Sequence, residues 1–157
     1  MGKSLGEAFL ELAVLLLLVF GFAFPLNFLW EALHAVYLYQ RHDFDAATYV
    51  PMLLYVATTD GLLIEGLYLG VAAAWRRLFW IEGFRKGQQL AYLCGGGVVA
   101  AVIEYRAVFV DHRWAYKPAM PTVFGIGLSP LIQLSVTGLV SIGLARAVLY
   151  GNGWFRR

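Results

Sequence analysis

Long apolar runs, separated by short polar and charged connections, organise this chain. They cover roughly 9–39, 49–75, 88–110 and 122–150. A helix needs about 20 residues to cross about 30 Å of hydrocarbon, so each run predicts one membrane span. The expected fold is all-α: a single polytopic integral membrane domain over 1–157, built as a bundle of four transmembrane helices. The first run is overlong for one straight span, and Pro25 predicts a kink in it. Pro130 is expected to interrupt the fourth span and free the carbonyl of Ile126. Gly66 and Gly70, facing Gly95, Gly96, Gly97, Ala100 and Ala101, predict tight contact between the second and third spans.

Composition strengthens the membrane assignment. The chain is 61% hydrophobic and 14% charged, with a mean hydropathy of +0.68. Soluble domains carry about 25% charged residues, so too little polar surface exists here to coat a water-soluble globule. The net charge of +2 forms no basic stripe, which argues against nucleic acid as a partner. Cys94 is the sole cysteine, so an intrachain disulfide and a cysteine-based metal framework are excluded.

The basic residues divide by side. Lys3, Arg76, Arg77, Arg85, Lys86, Arg146, Arg156 and Arg157 fall on one side of the expected bundle; Arg41, Arg113 and Lys117 fall on the other. The positive-inside rule then puts both termini in the cytoplasm, with the plasma membrane of a prokaryote as the expected location. Lys3 is followed closely by Glu7 and Glu11 with no small-x-small site beyond, which does not read as a cleaved signal peptide. The connection from Arg76 to Lys86 mixes bases with large apolar groups and is expected to lie along the headgroups as an anchor belt.

Against this apolar background the polar groups inside the runs stand out. Asn27, Glu31 and His34 are spaced i, i+4, i+7 and share one helix face. Ionisable groups in a span cost about 2.5–3.5 kcal/mol each on insertion scales. At 1.5 Å per residue, Glu31, Asp60, Glu104 and Gln133 fall between the midplane and the outer interface, one on each span. Their shared depth predicts a common cavity. Blander readings stand beside this one: Glu31 and His34 reaching the headgroups, Gln133 as interhelical glue, and Glu65 as a structural partner on a different face from Asp60. Glu104 and Arg106 are also on different faces, and Arg106 is expected to reach outward. Carboxyls withdrawn from water suit proton transfer, and His34 can share that work. A metal set from Glu31, His34, Asp60 and Glu104 lacks any paired-histidine spacing, so neither metal nor cofactor is expected.

A second informative stretch runs from Glu104 through Trp114 and Tyr116 to Gly125, Pro130 and Gln133. This order of acid, aromatic pair, glycine and proline resembles small membrane proteins of carotenoid metabolism, the heterodimer-type lycopene cyclases and the carotenoid hydratases. The likeness covers under a quarter of the chain, and Leu131, Ile132 and Gln133 stand where the cyclases carry acids. It implies an apolar cavity with a carboxyl poised against a long hydrocarbon. The leading expectation is therefore an intramembrane enzyme of isomerase, cyclase or hydratase type, acting on a membrane lipid or isoprenoid. Glu31, Asp60 and Glu104 would be its proton donors or acceptors and His34 a relay. Asn27, Trp30, Glu65, Trp114, Tyr116 and Gln133 would line the substrate site, with the aromatic faces steadying developing positive charge. The alternatives are a small oligomeric transporter or ligand-binding protein using the same cluster for ions or protons, and a purely structural subunit.

Overall fold

In the computed structural model, which describes residues 4–40 and 45–151, the chain forms four long helices. Lys3, Arg41, Arg156 and Arg157, used above to orient the chain, lie outside the described residues. Helix α1 spans Leu5–Tyr37, α2 Ala46–Ala74 and α3 Lys86–Tyr105, which continues as a π-helical turn over Arg106–Val110. Helix α4 spans Leu128–Arg146 and ends in a second π-helical turn, Ala147–Gly151. All four are long and apolar enough to cross a membrane. Leu17, Leu29, Tyr55, Leu62 and Val98 stand exposed along their flanks, as expected for residues facing lipid tails.

The boundaries follow local chemistry. α1 begins at Leu5, ahead of the apolar run, because Ser4 and Glu7 form a reciprocal capping box. It continues through Pro25. Asp45 caps α2 by accepting the Thr48 amide at 2.8 Å. The fourth span starts later than expected, at Leu128. Residues 122–127 instead form a hairpin of β1 (Thr122–Val123) and β2 (Ile126–Gly127), paired antiparallel. Its two-residue turn, Phe124 and Gly125, has φ of 52° and 78°, the positive values that a type I′ turn requires. Pro130 consequently sits in the first turn of α4, where a missing N–H costs nothing, and starts the helix rather than interrupting it.

Packing centres on α4, which buries a broad face including Gln133, Leu134, Thr137, Gly138, Ser141, Ile142 and Ala145. α1 and α3 each bury a narrow ridge of every fourth residue: Glu11, Leu15, Val19, Ala23 and Asn27 on one, Gln88, Tyr92, Gly96, Ala100 and Glu104 on the other. Such i±4 ridges seat in the grooves of a neighbouring helix. The close approach expected between α2 and α3 is not what the glycines do. Gly66 and Gly70 have open space where a Cβ would stand and line a groove of about 470 Å³. The tight contact is between α3 and α4, where a Cβ on Gly96 would lie 2.6 Å from Ser135 Oγ and one on Gly138 would overlap the Tyr92 hydroxyl.

The connection between α2 and α3 also departs from expectation. Trp80 and Ile81 are 1% and 0% exposed, so this segment turns inward and plugs the bundle end instead of lying wholly along the headgroups. Trp80 stacks on Tyr68 at 5.1 Å and donates its indole N–H to the Tyr68 carbonyl at 3.2 Å. Arg146 Nε donates to the Ile81 carbonyl at 3.0 Å, holding the plug from α4. An indole in an apolar core needs such an acceptor.

Candidate functional site

Two polar ladders face one another across the α1–α4 contact. On α1, Asn27, Glu31 and His34 climb one face; on α4, Thr137, Gln133 and Ser129 descend at i+4 spacing. Because the helices meet along these faces in opposite directions, the rungs pair in order. Asn27 Oδ1 lies 3.1 Å from Thr137 Oγ1, Glu31 Oε1 2.7 Å from Gln133 Nε2, and His34 Nε2 2.6 Å from Ser129 Oγ. The i, i+4, i+7 spacing on α1 therefore answers a matching stripe on α4. Between helices already in lipid, apolar burial contributes little, and polar contacts average about 0.6 kcal/mol each.

Gln133 is the hub of this arrangement. Its Nε2 stands 2.7 Å from Glu31 Oε1, 2.9 Å from Asp60 Oδ2 of α2 and 3.2 Å from Asn27 Oδ1. A carboxamide nitrogen has two hydrogens, so the three oxygens compete for them. Asn27 itself is fully buried and donates its own amide to the Ala23 carbonyl at 2.8 Å. The two acids are thus joined through one shared donor.

Glu104 has the opposite surroundings. It is the penultimate residue of α3, just ahead of Tyr105 and the π-helical turn, and is 5% exposed. Tyr39 donates its hydroxyl to Oε1 at 3.3 Å, Trp114 its indole N–H to Oε2 at 3.3 Å, and the Tyr116 hydroxyl makes a short hydrogen bond to Oε2. Burial, with the Glu104 hydrogen bond adding to it, holds the Tyr116 phenol above its ordinary pKa, so it stays a donor. Arg106 points away and reaches Asp111 at 4.0 Å, as its place on the other face of α3 implies.

The loop after α3 is sewn to the end of α1, which brings its aromatic residues inward. Gln40 donates its backbone N–H to Ala115 and Lys117 donates its own to Leu38, both at 2.8 Å, flanking the bridge between Tyr39 and Tyr116. Lys117 Nζ also donates to the Val36 carbonyl at 2.7 Å. A cation there satisfies the open carbonyls and favours the negative end of the α1 dipole.

Glu31, Asp60 and Glu104, together with Gln133, Tyr39 and Trp114, line one cavity of about 300 Å³; Met52, Val56 and Ile103 are among the apolar groups in its wall. The structure does not bring every expected residue to it. Glu65 is half-buried about 7.5 Å farther along α2 and is outside the lining. Trp30 and His34 turn to the neighbouring groove between α1 and α4. Tyr39, Ser129 and Thr137 were not anticipated as site residues. The i+4 series on α4 is the signal that could have found Ser129 and Thr137, whereas nothing local marks Tyr39 as a partner of Glu104. Among the described residues no three His, Cys, Asp or Glu side chains come together so as to hold a metal ion. No protein-family model, curated protein or solved structure matches this chain.

Proposed function

We propose that this protein is an intramembrane acid–base enzyme acting on a lipid or isoprenoid substrate, of isomerase, cyclase or hydratase type. One observation carries the reading: carboxyls from α1, α2 and α3 converge on a single cavity whose remaining wall is largely apolar and aromatic. Hydrogen-bond counting divides their roles. Glu104 receives three donors, which suits a fixed anion that accepts a proton or steadies a developing cation. Glu31 and Asp60 share one amide nitrogen with Asn27, which also faces the Thr137 hydroxyl. Gln133 therefore supplies each acid with at most one hydrogen, and a proton carried by one of the pair adds the further donor they lack. That proton is the one given to the substrate; the Trp114 face supports the positive charge that follows. The likeness of the Glu104–Gln133 stretch to carotenoid cyclases and hydratases fits the same chemistry.

A bend at Pro25, whose ring cannot donate to the preceding turn, would tilt the Asn27–His34 face toward α4. The charge pattern supports cytoplasmic termini in a prokaryotic plasma membrane, which places the cavity in the outer leaflet. A homo-oligomer remains compatible with this arrangement.

The test is expression of wild type, Asp60→Asn and Glu104→Gln in cells that accumulate prenyl and polyene hydrocarbons, followed by mass spectrometry of the extracted lipids. Wild type should yield a converted lipid, and both variants should lose it while eluting as folded protein in mild detergent. Wild-type conversion by both variants would remove the proposal. Proton-dependent flux in proteoliposomes with no altered lipid would favour a transporter instead.

A further inference from the structure

The cavity above leaves part of the polar ladder unused. Trp30 donates its indole N–H to His34 Nε2 at 2.6 Å, so this nitrogen is an acceptor, because an indole cannot accept in return. Ser129 Oγ lies 2.6 Å from the same nitrogen, whose single lone pair can take only one of the two protons, so the hydroxyl becomes its donor once the indole N–H is drawn to another acceptor. The ring proton is left on Nδ1, which is buried, has no hydrogen-bond partner and lies 3.9 Å from Glu31 Oε1. A hydroxyl donating to an imidazole whose other nitrogen faces a carboxylate is the arrangement that activates a serine.

The position of the pair suggests what it would meet. Ser129 is half-buried, whereas His34 is 2% exposed, so the hydroxyl is reachable and the base is shielded. Both line a groove of about 500 Å³ between α1 and α4, walled by Leu29, Leu33, Val136 and Val140 among others. His34 is in the last turn of α1 and Ser129 in the first turn of α4. That is the level of the boundary between acyl chains and headgroups, where lipid ester carbonyls lie.

We propose that Ser129 is a nucleophile, with His34 as its general base, acting on a long-chain acyl ester whose chain lies in the α1–α4 groove. Ser129 Oγ bonds to the carbonyl carbon as its proton passes to His34 Nε2. Trp30, lining the same groove, offers its indole N–H to the carbonyl oxygen where charge develops. Collapse breaks the ester C–O bond, and the departing alkoxide takes the proton from His34 and leaves as an alcohol. Water or a second alcohol then attacks the acyl-serine, giving the free acid or a new ester and returning the proton to Ser129. Glu31 is a positioning residue whose carboxylate, 3.9 Å from Nδ1, favours the charged ring that forms when Nε2 takes the proton. The assignment does not depend on acid–base conversion of a lipid in the neighbouring cavity.

The experiment is labelling of the full chain in mild detergent with a long-chain alkyl fluorophosphonate. Serine Oγ displaces fluoride from phosphorus, and the proton leaves through the histidine. Mass spectrometry should find the adduct on Ser129, forming roughly tenfold or more slower in His34→Gln. Glu31→Gln should slow it, with Glu31→Asp restoring part of the rate. An excess of long-chain p-nitrophenyl ester should protect wild-type Ser129 and a short-chain ester should not, a readout that needs no variant to fold. An unmodified Ser129, in micelles where a control serine hydrolase reacts fully, would overturn the proposal. So would equal labelling of folded His34→Gln, or equal protection by both esters.

Discussion

Gln133 Nε2 and Glu31 Oε1 stand 2.7 Å apart across the α1–α4 contact, and the same nitrogen reaches Asp60 at 2.9 Å. One side chain on the central helix therefore ties three helices together at the level of the acidic cavity. Replacing it with an apolar group of similar size takes the shared donor from both acids and leaves Asn27 Oδ1 with Thr137 alone. A buried polar group left without its partner costs about 1–3 kcal/mol, so Gln133→Leu should lower the thermal midpoint in detergent clearly. Gln133→Leu combined with Asn27→Leu should lose less than the sum of the two single changes, because the second removes an acceptor that has already lost one of its two donors.

Tyr116 donates to Glu104 from a loop rather than from a helix. Tyr116→Phe keeps the ring and removes only the donor. Stability should fall by about 0.5–1.5 kcal/mol, the ordinary worth of one hydrogen bond, while conversion of the substrate slows by about 10²-fold or more, as when one preorganised donor is lost from an active site. Turnover and thermal midpoint measured on the same preparation separate the two effects. A drop in stability with undiminished turnover would make Glu104 a structural acid.

The α3–α4 seam should be intolerant of a single methyl group. A Cβ at Gly138 would overlap the Tyr92 hydroxyl, and that hydroxyl is buried with no hydrogen-bond partner. Gly138→Ala should cost about 1–3 kcal/mol by overpacking. Tyr92→Phe removes the unsatisfied oxygen, so by itself it should be near neutral, but it should recover only part of the loss in the double variant, because ring atoms Cζ and Cε1 would still stand 2.7 and 2.9 Å from the new Cβ. Thermal melts of the four proteins complete the cycle.

Asp45 gives α2 a pH-sensitive start. Hydrogen bonds from Thr48 hold its carboxyl below the ordinary aspartate pKa. A group depressed in the folded state stabilises fully above its unfolded pKa, roughly 3.9, and that contribution is lost as pH falls through the lower folded value. Protection of the Thr48 and Tyr49 amides from exchange, taken relative to the intrinsic rate at each pH, should therefore fall in acid below that range. Asp45→Asn keeps an acceptor without a titrating group and should abolish the pH dependence; persistence of the dependence would show that another group controls the helix start.

The number and approximate extent of the spans follow from hydropathy alone, because bilayer thickness dictates the length of a run that must stay apolar. The shared face of Asn27, Glu31 and His34, and the common depth of Glu31, Asp60, Glu104 and Gln133, were legible for the same reason: rise per residue converts position into depth. Partners were not legible. Glycine spacing pointed to an α2–α3 seam, yet the close contact is Gly96 and Gly138 between α3 and α4, since small residues permit approach without naming the helix that approaches. Trp80 read as an interfacial anchor, but the tertiary fold supplied an acceptor at Tyr68 and drew the indole inside. Tyr39 and Glu104 are 65 residues apart, and only the stitching of Gln40 and Lys117 to the opposing loop brings them together. Periodicity reports one helix at a time, whereas a site shared by four helices depends on their rotations about their own axes, which packing alone decides.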